Sequence, residues 1–154
     1  MTTHSQRIEQ FQNILDADLV FLPISSDLQY LTGVPRDIPN FGATIHPGAW
    51  LEGAWITPKH EPILTLSRMT AEYGGLERLQ GVKIRVLGDW DDPSALVADI
   101  LRGFSLLSKP KVAISDKGSA TPAMMVARMV RRKMNTTRTT SAIESTRVNC
   151  TSWI

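Results

Sequence analysis

The sequence predicts an α/β fold, a mixed parallel and antiparallel sheet with helices on both faces. Three observations lead there. Leu19 to Ile24 (LVFLPI) is a near-continuous apolar run, which suits a strand covered on both sides. Residues 42–66 hold short apolar segments broken by Pro47-Gly48 and by Pro58-Lys59 and Pro62, the pattern of antiparallel strands joined by tight turns. From residue 82 onward, strand-like runs alternate with segments of helical periodicity, as they do in a sheet with crossover helices.

Each element has its own warrant. Ile8, Phe11 and Leu15 recur at helical spacing, with Ile14 beside them, and predict a helix from about Ser5 to Leu15. Thr3 followed by Gln6 offers a capping box, and Asp16 to Asp18 break the pattern. In the first strand Pro23 removes a ladder donor and so marks its end, an edge or a bulge. Ser26 with Gln29 predicts a second capping box, for a short helix that turns Leu28 and Leu31 inward and stops at Gly33. Val34 to Phe41 carries two prolines and a charge pair and reads as a loop. Strands are expected at Gly42 to His46, Trp50 to Thr57 and Pro62 to Leu66. Ser67 caps a helix to about Leu79, weakened by Gly74-Gly75.

After the strand Val82 to Leu87, Asp92 caps a helix with Pro93 in its first position. Leu96, Val97, Ile100, Leu101 and Phe104 form its apolar stripe. Lys111 to Ser115 is a strand. Thr121 and Pro122 open a helix facing Val126, Met129 and Val130 inward, and Thr136 to Ile143 reads as a last short strand.

Composition narrows the function classes. A chain of 154 residues, 42% of them apolar, fits one domain with a real core. A net charge of +2 is too small to imply nucleic acid by itself. The charge is uneven: residues 1–117 hold 11 basic and 14 acidic groups, residues 118–154 six basic and one acidic. Cys150 is the only cysteine, so neither an intrachain disulfide nor a thiolate zinc site is expected. MTTHSQRIEQF has no apolar run, and no stretch approaches a membrane span. The expectation is a cytoplasmic protein that binds neither membrane nor nucleic acid.

Candidate chemical groups are few. Asp89, Asp91 and Asp92 are three carboxylates within four residues, but the calcium-loop spacing fails and Pro93 follows, so helix capping is the better reading. A cryptic metal enzyme built on these three is the alternative. His4, His46 and His60 are too scattered for a metal cluster, with His4 assigned to the terminus and His60 to a turn. Arg128, Arg131 and Arg132 share a helix face near Lys133 and Arg138, without the aromatic pattern of RNA readers; a solvated face or a docking surface is expected there. Trp50 and Trp55 are five apart, so within one strand they point to opposite faces, with Trp50 the one expected outside. Glycine-rich nucleotide loops and the nucleophile elbow of hydrolases are missing.

The order of elements resembles a known family. An initial helix, the strand LVFLPI, the block SSDLQYLTG ending in Tyr30-Leu31-Thr32-Gly33, then hairpin strands closing in WITP and EPILTL, are similar to the N-terminal domain of creatinases, prolidases and Xaa-Pro aminopeptidases. The segments KIRVLGDWDDP and KVAISDKGSATP resemble its strand–helix units, and RVNCTSWI resembles the start of its interdomain segment.

The resemblance implies a ribonuclease H-like sheet over residues 1–146, an interdomain segment over 147–154, and no catalytic residues in this chain. It implies a C-terminal catalytic domain on which this one docks. That domain holds two divalent metals (manganese, cobalt or zinc) through two Asp, one His and two Glu, none of which falls in this chain. It further implies a homodimer, and a loop after the Tyr30–Gly33 motif that reaches the partner's substrate pocket. Arg36, Asp37 and Phe41, with His46 nearby, are the residues carried over to that loop. The implied function is that of a non-catalytic domain of an Xaa-Pro peptidase or creatinase-like hydrolase. The alternative is a stand-alone α/β interaction or small-ligand module.

Overall fold

The computed structural model describes residues 3–38, 48–76, 79–106 and 110–114. Helix α1 (His4–Ile14) leads into strand β1 (Leu19–Pro23) and helix α2 (Ser26–Thr32). A single 3-10 turn (Ala49–Leu51) precedes β2 (Gly53–Ile56) and β3 (Ile63–Ser67). Helix α3 (Arg68–Gly74), β4 (Lys83–Leu87), α4 (Pro93–Gly103) and β5 (Val112–Ile114) follow.

The five strands lie in the order β4-β3-β2-β1-β5. β1 pairs antiparallel with β2, and β2 antiparallel with β3. β1 pairs parallel with β5, and β3 parallel with β4. The sheet is therefore mixed, as expected, with β2 alone reversed among the described strands. Pro23 sits opposite Gly53 at the last register position of β1, where its missing N–H costs least.

Strand alternation divides the core in two. Leu19, Phe21, Trp55, Val112 and Ile114 face one side, where Val97, Ile100, Leu101 and Phe104 of α4 cover them. Val20, Leu22, Ala54, Ile56, Leu64, Leu66 and Ala113 face the other, under α2, α3 and the partly buried Phe11 and Leu15. Helices thus cover both faces, and β1, covered on both sides, is buried at every residue.

Caps decide where the helices start. Thr3 and Gln6 form the expected box, with the Gln6 side chain bonded to the Thr3 N–H at 2.9 Å. The cap of α2 is Ser25, one residue earlier than expected. Its extended backbone (φ −160°) aims Oγ at the Leu28 N–H, 3.3 Å away, whereas Ser26 already lies in the first turn. The third helical position is then Leu28, which has no side-chain oxygen to complete a box. Helix α3 ends at Gly74 and not near Leu79, because Gly75 turns left-handed (φ +61°) and its N–H closes the last turn. Asp92 and Pro93 start α4 as expected.

Trp50 is a further correction. The 3-10 turn breaks strand parity, so Trp50 packs, partly buried, on the same cluster as Trp55. Trp55 is fully buried, 4.5 Å from the Phe21 ring, with its indole N–H donated to Thr65 Oγ1 at 2.9 Å. No helix among the described residues is long and apolar enough to cross a membrane. The expected strand Gly42 to His46, the helix from Thr121, the strand Thr136 to Ile143, and Arg128, Arg131 and Arg132 lie outside the described residues.

Candidate functional site

β1, β3, β4 and β5 run in one direction, so their carboxyl ends share one edge of the sheet. Helices α2, α3 and α4 follow β1, β3 and β4, and begin at that edge. In open α/β sheets this is where ligands and partners are met.

The Arg36–Asp37 turn follows α2. Val34 and Ile38, on either side of it, are buried in the core cluster beneath α2. The turn is therefore anchored at both ends while Arg36 and Asp37 stay exposed. Arg36 Nη1 reaches back along the helix to Ser26 Oγ at 3.1 Å. Thr32 ends the helix from inside, donating to the Leu28 carbonyl at 2.8 Å and accepting from the Val34 N–H at 3.3 Å. Phe41 and His46 lie outside the described residues.

The most unusual group at this edge is Glu52, only 4% exposed. Its Oε1 accepts the Ser67 N–H at 3.0 Å and the Thr70 hydroxyl at 2.9 Å. Ser67 is the cap of α3 and Thr70 its third residue. In a capping box the third residue supplies a carboxylate or amide to the cap N–H. Here the third residue is a threonine, and the carboxylate comes from the residue preceding β2. With Thr70 donating to Glu52, the 2.8 Å contact between Ser67 Oγ and Thr70 Oγ1 must run from Ser67 to Thr70. Glu52 Oε2 has no hydrogen-bond partner among the described residues. Sequence reasoning passed over Glu52; the available signal was a lone carboxylate inside the apolar run Trp50 to Ile56.

The three aspartates do not converge. Asp89 binds Arg68, with Oδ2 at 2.6 Å from Nη2 and 3.1 Å from Nε. Asp91 accepts the Gly88 N–H at 2.9 Å, and Asp92 the Ser94 N–H at 2.9 Å. Among the described residues no three His, Cys, Asp or Glu are grouped to hold a metal. Arg68 also meets Glu72 at 3.0 Å. The hydrogen bond it donates to Asp89, then that to Glu72, pushes the already basic guanidinium higher still.

His4 begins α1 and its ring lies against Gly33. His60 packs on Phe104 with ring centroids 5.6 Å apart. It borders an open groove of about 530 Å³ between the start of β4 and α4. Arg85, Asp99 and Arg102 line that groove, and the two arginines hold the Asp99 carboxyl below its ordinary range. This is the amino edge of β4, away from the helix starts.

No family model and no curated protein matches the sequence. Solved structures do match in fold. The N-terminal domain of an Xaa-Pro dipeptidase from Lactobacillus brevis superposes with a TM-score of 0.61 at 19% identity, over 80% of this chain and 87% of that one. The creatinase/prolidase N-terminal domain of an X-Pro dipeptidase from Streptococcus pyogenes gives 0.57 at 14%, over 80% and 86%. The chain has the creatinase/prolidase N-terminal domain fold. A recombinant prolidase from Thermococcus sibiricus matches with a TM-score of 0.62 at 18% identity, over 85% of this chain but 33% of that one. This chain therefore spans about a third of such a prolidase and most of an isolated creatinase/prolidase N-terminal domain. At these identities the likeness concerns the fold.

Proposed function

We propose that this chain is the non-catalytic N-terminal domain of a creatinase/prolidase-like hydrolase cleaving Xaa-Pro peptides. In this reading it pairs two subunits and walls part of the partner subunit's substrate pocket. The supporting observation is the pattern of coverage, 86% and 87% of isolated N-terminal domains against 33% of a prolidase.

Two divalent metals, manganese, cobalt or zinc, would activate water in the accompanying catalytic domain. Among the described residues of this chain no three His, Cys, Asp or Glu are grouped to hold them. The part assigned to this chain is positioning. The Arg36–Asp37 turn, anchored by Val34 and Ile38, offers a cation and a carboxylate on a fixed base. Such a base would present them to a peptide's charged termini at little entropic cost. Phe41 and His46 belong to the same proposed wall.

The test is an assay of the purified chain on Xaa-Pro dipeptides with added manganese or cobalt, alongside light scattering. The expected result is a dimer without hydrolysis. Hydrolysis by the chain alone overturns the non-catalytic assignment, and a monomer at every concentration overturns the pairing.

A further inference from the structure

The groove of about 530 Å³ at the amino end of β4 has the size of a small-molecule pocket, about 300–1,000 Å³. The turn between β2 and β3, the first residues of β4 and the end of α4 build it. Lys83 and Arg85 are two apart on β4, so both stand on the groove's face of the sheet, roughly 7 Å apart along the strand. Arg102 enters from α4. Asp99 Oδ2 accepts from Arg85 at 2.8 Å, and Asp99 Oδ1 accepts from Arg102 at 3.5 Å. One carboxylate thus holds two guanidiniums side by side, and each keeps donors beyond the one it gives to Asp99.

The charges lining the groove do not balance. Lys83, Arg85 and Arg102 bring three positive charges, Asp99 and Glu61 two negative ones. The two arginines engage Asp99, while Glu61 stands on the exposed turn. The carboxyl end of α4 adds partial negative charge, but its Ile100 and Arg102 carbonyls already accept the Phe104 and Ser105 N–H groups at 3.2 and 3.1 Å. An oxyanion relieves the repulsion among the three cations, and its oxygens match the arginine fork.

Beside the cations the wall is apolar. Ile100 and Phe104 are buried, Ile63 half-buried, and the His60 ring lies on Phe104 with a tilt of 44°. The His60 backbone is held from both sides: its N–H donates to Thr57 Oγ1 at 3.1 Å, and its carbonyl accepts from Gln12 Nε2 at 2.8 Å. A flat ring packs favourably beside such an aromatic pair, and a wall already held in place needs little further ordering on binding.

We propose that this groove binds a small aromatic oxyanion, its charged end on Lys83, Arg85 and Arg102 and its ring against His60 and Phe104. A phosphate ester and a carboxylate both supply that chemistry. None of the lining residues belongs to the Arg36–Asp37 turn, so this inference stands apart from the proposed substrate wall.

The purified chain is titrated with phenyl phosphate, benzoate, inorganic phosphate and benzylamine, and amide NMR shifts are followed. One or both aromatic anions should give saturable shifts at His60, Lys83, Arg85 and Arg102, weakened by salt. The tighter of the two shows which oxyanion the groove prefers. Inorganic phosphate lacks the ring and should bind at least about fivefold more weakly than that anion, the scale of one modest contact. Benzylamine has the ring and the opposite charge, and should not saturate. Lys83→Gln and Arg102→Gln should each weaken binding at least about fivefold and melt with the wild type. Absence of saturable shifts with both aromatic anions overturns the proposal, as does equal binding of inorganic phosphate or of benzylamine. Affinity unchanged in both variants places the anion elsewhere and overturns it too.

Discussion

Glu52 and Ser67 are joined side chain to backbone, Oε1 to N–H at 3.0 Å, so a residue next to β2 closes the first turn of α3. Truncation at Glu52 leaves a buried N–H and a buried hydroxyl without an acceptor, at about 1–3 kcal/mol for each such group. Glu52→Ala is expected to lose about 2–4 kcal/mol of unfolding free energy. Glu52→Gln keeps Oε1 as acceptor and should lose less than half as much. Urea unfolding of the three proteins decides it. If alanine and glutamine cost the same, the acceptor role of Oε1 is wrong.

A second buried hydroxyl supports the opposite face. Thr65 accepts the Trp55 indole N–H, lies 3.1 Å from the Gly53 carbonyl, and donates to the Leu51 carbonyl. Thr65→Val keeps the volume but deprives the indole of its partner, and should cost about 2 kcal/mol. Thr65→Ser keeps the hydroxyl and drops one methyl, at about 1 kcal/mol. Thermal melts should rank wild type above serine and serine above valine. Valine melting above serine would show that packing, not the hydrogen bond, governs the site.

These two hydroxyl sites show where reading the sequence stops. The mixed sheet was legible because Leu19 to Ile24 is apolar throughout and the later segments switch period. Thr3, Ser67 and Asp92 were legible as caps because a cap is a local event. The role of Glu52 was not, since its partners lie 15 and 18 residues away and only β2–β3 pairing brings them near. Trp50 was misplaced because a 3-10 turn breaks the two-residue period on which the facing argument depends. Of the candidate pocket residues, the structure describes Arg36 and Asp37 as an anchored turn, and its anchors were apolar residues in what read as an ordinary loop.

Asp99 should give the domain a small acid-range sensitivity. Its carboxyl is held below the ordinary value of 3.8, first by the hydrogen bond it accepts from Arg85 and then by that from Arg102. A depressed carboxylate contributes stability above its unfolded value, and loses it as pH falls through the folded one. The stability gap between wild type and Asp99→Asn should thus be present at neutral pH and shrink below about pH 3.8. All three side chains are substantially exposed, so the gap is small and falls with salt. Urea unfolding at stepped pH measures it. A gap that stays constant or widens into the acid range would contradict the pairing.

The start of α2 separates two neighbouring serines. Ser25 Oγ accepts the Leu28 N–H, an orphan donor of the first turn, while Ser26 Oγ accepts from the exposed Arg36 guanidinium. Loss of a cap costs about 1 kcal/mol, whereas an exposed polar contact within the first turn costs a few tenths. Ser25→Ala is therefore expected to destabilise by about 1 kcal/mol, and Ser26→Ala by less than half of that. Because α2 carries Leu28 and Leu31 into the core and leads directly to Val34, the Ser25 variant should also speed amide exchange at Val34 and Ile38. Ser26→Ala should leave that exchange as it is and free Arg36 from the helix. Equal melting temperatures and equal exchange in the two variants would show that α2 is held by its packing alone, and that the anchoring of the Arg36–Asp37 turn does not depend on where the helix begins.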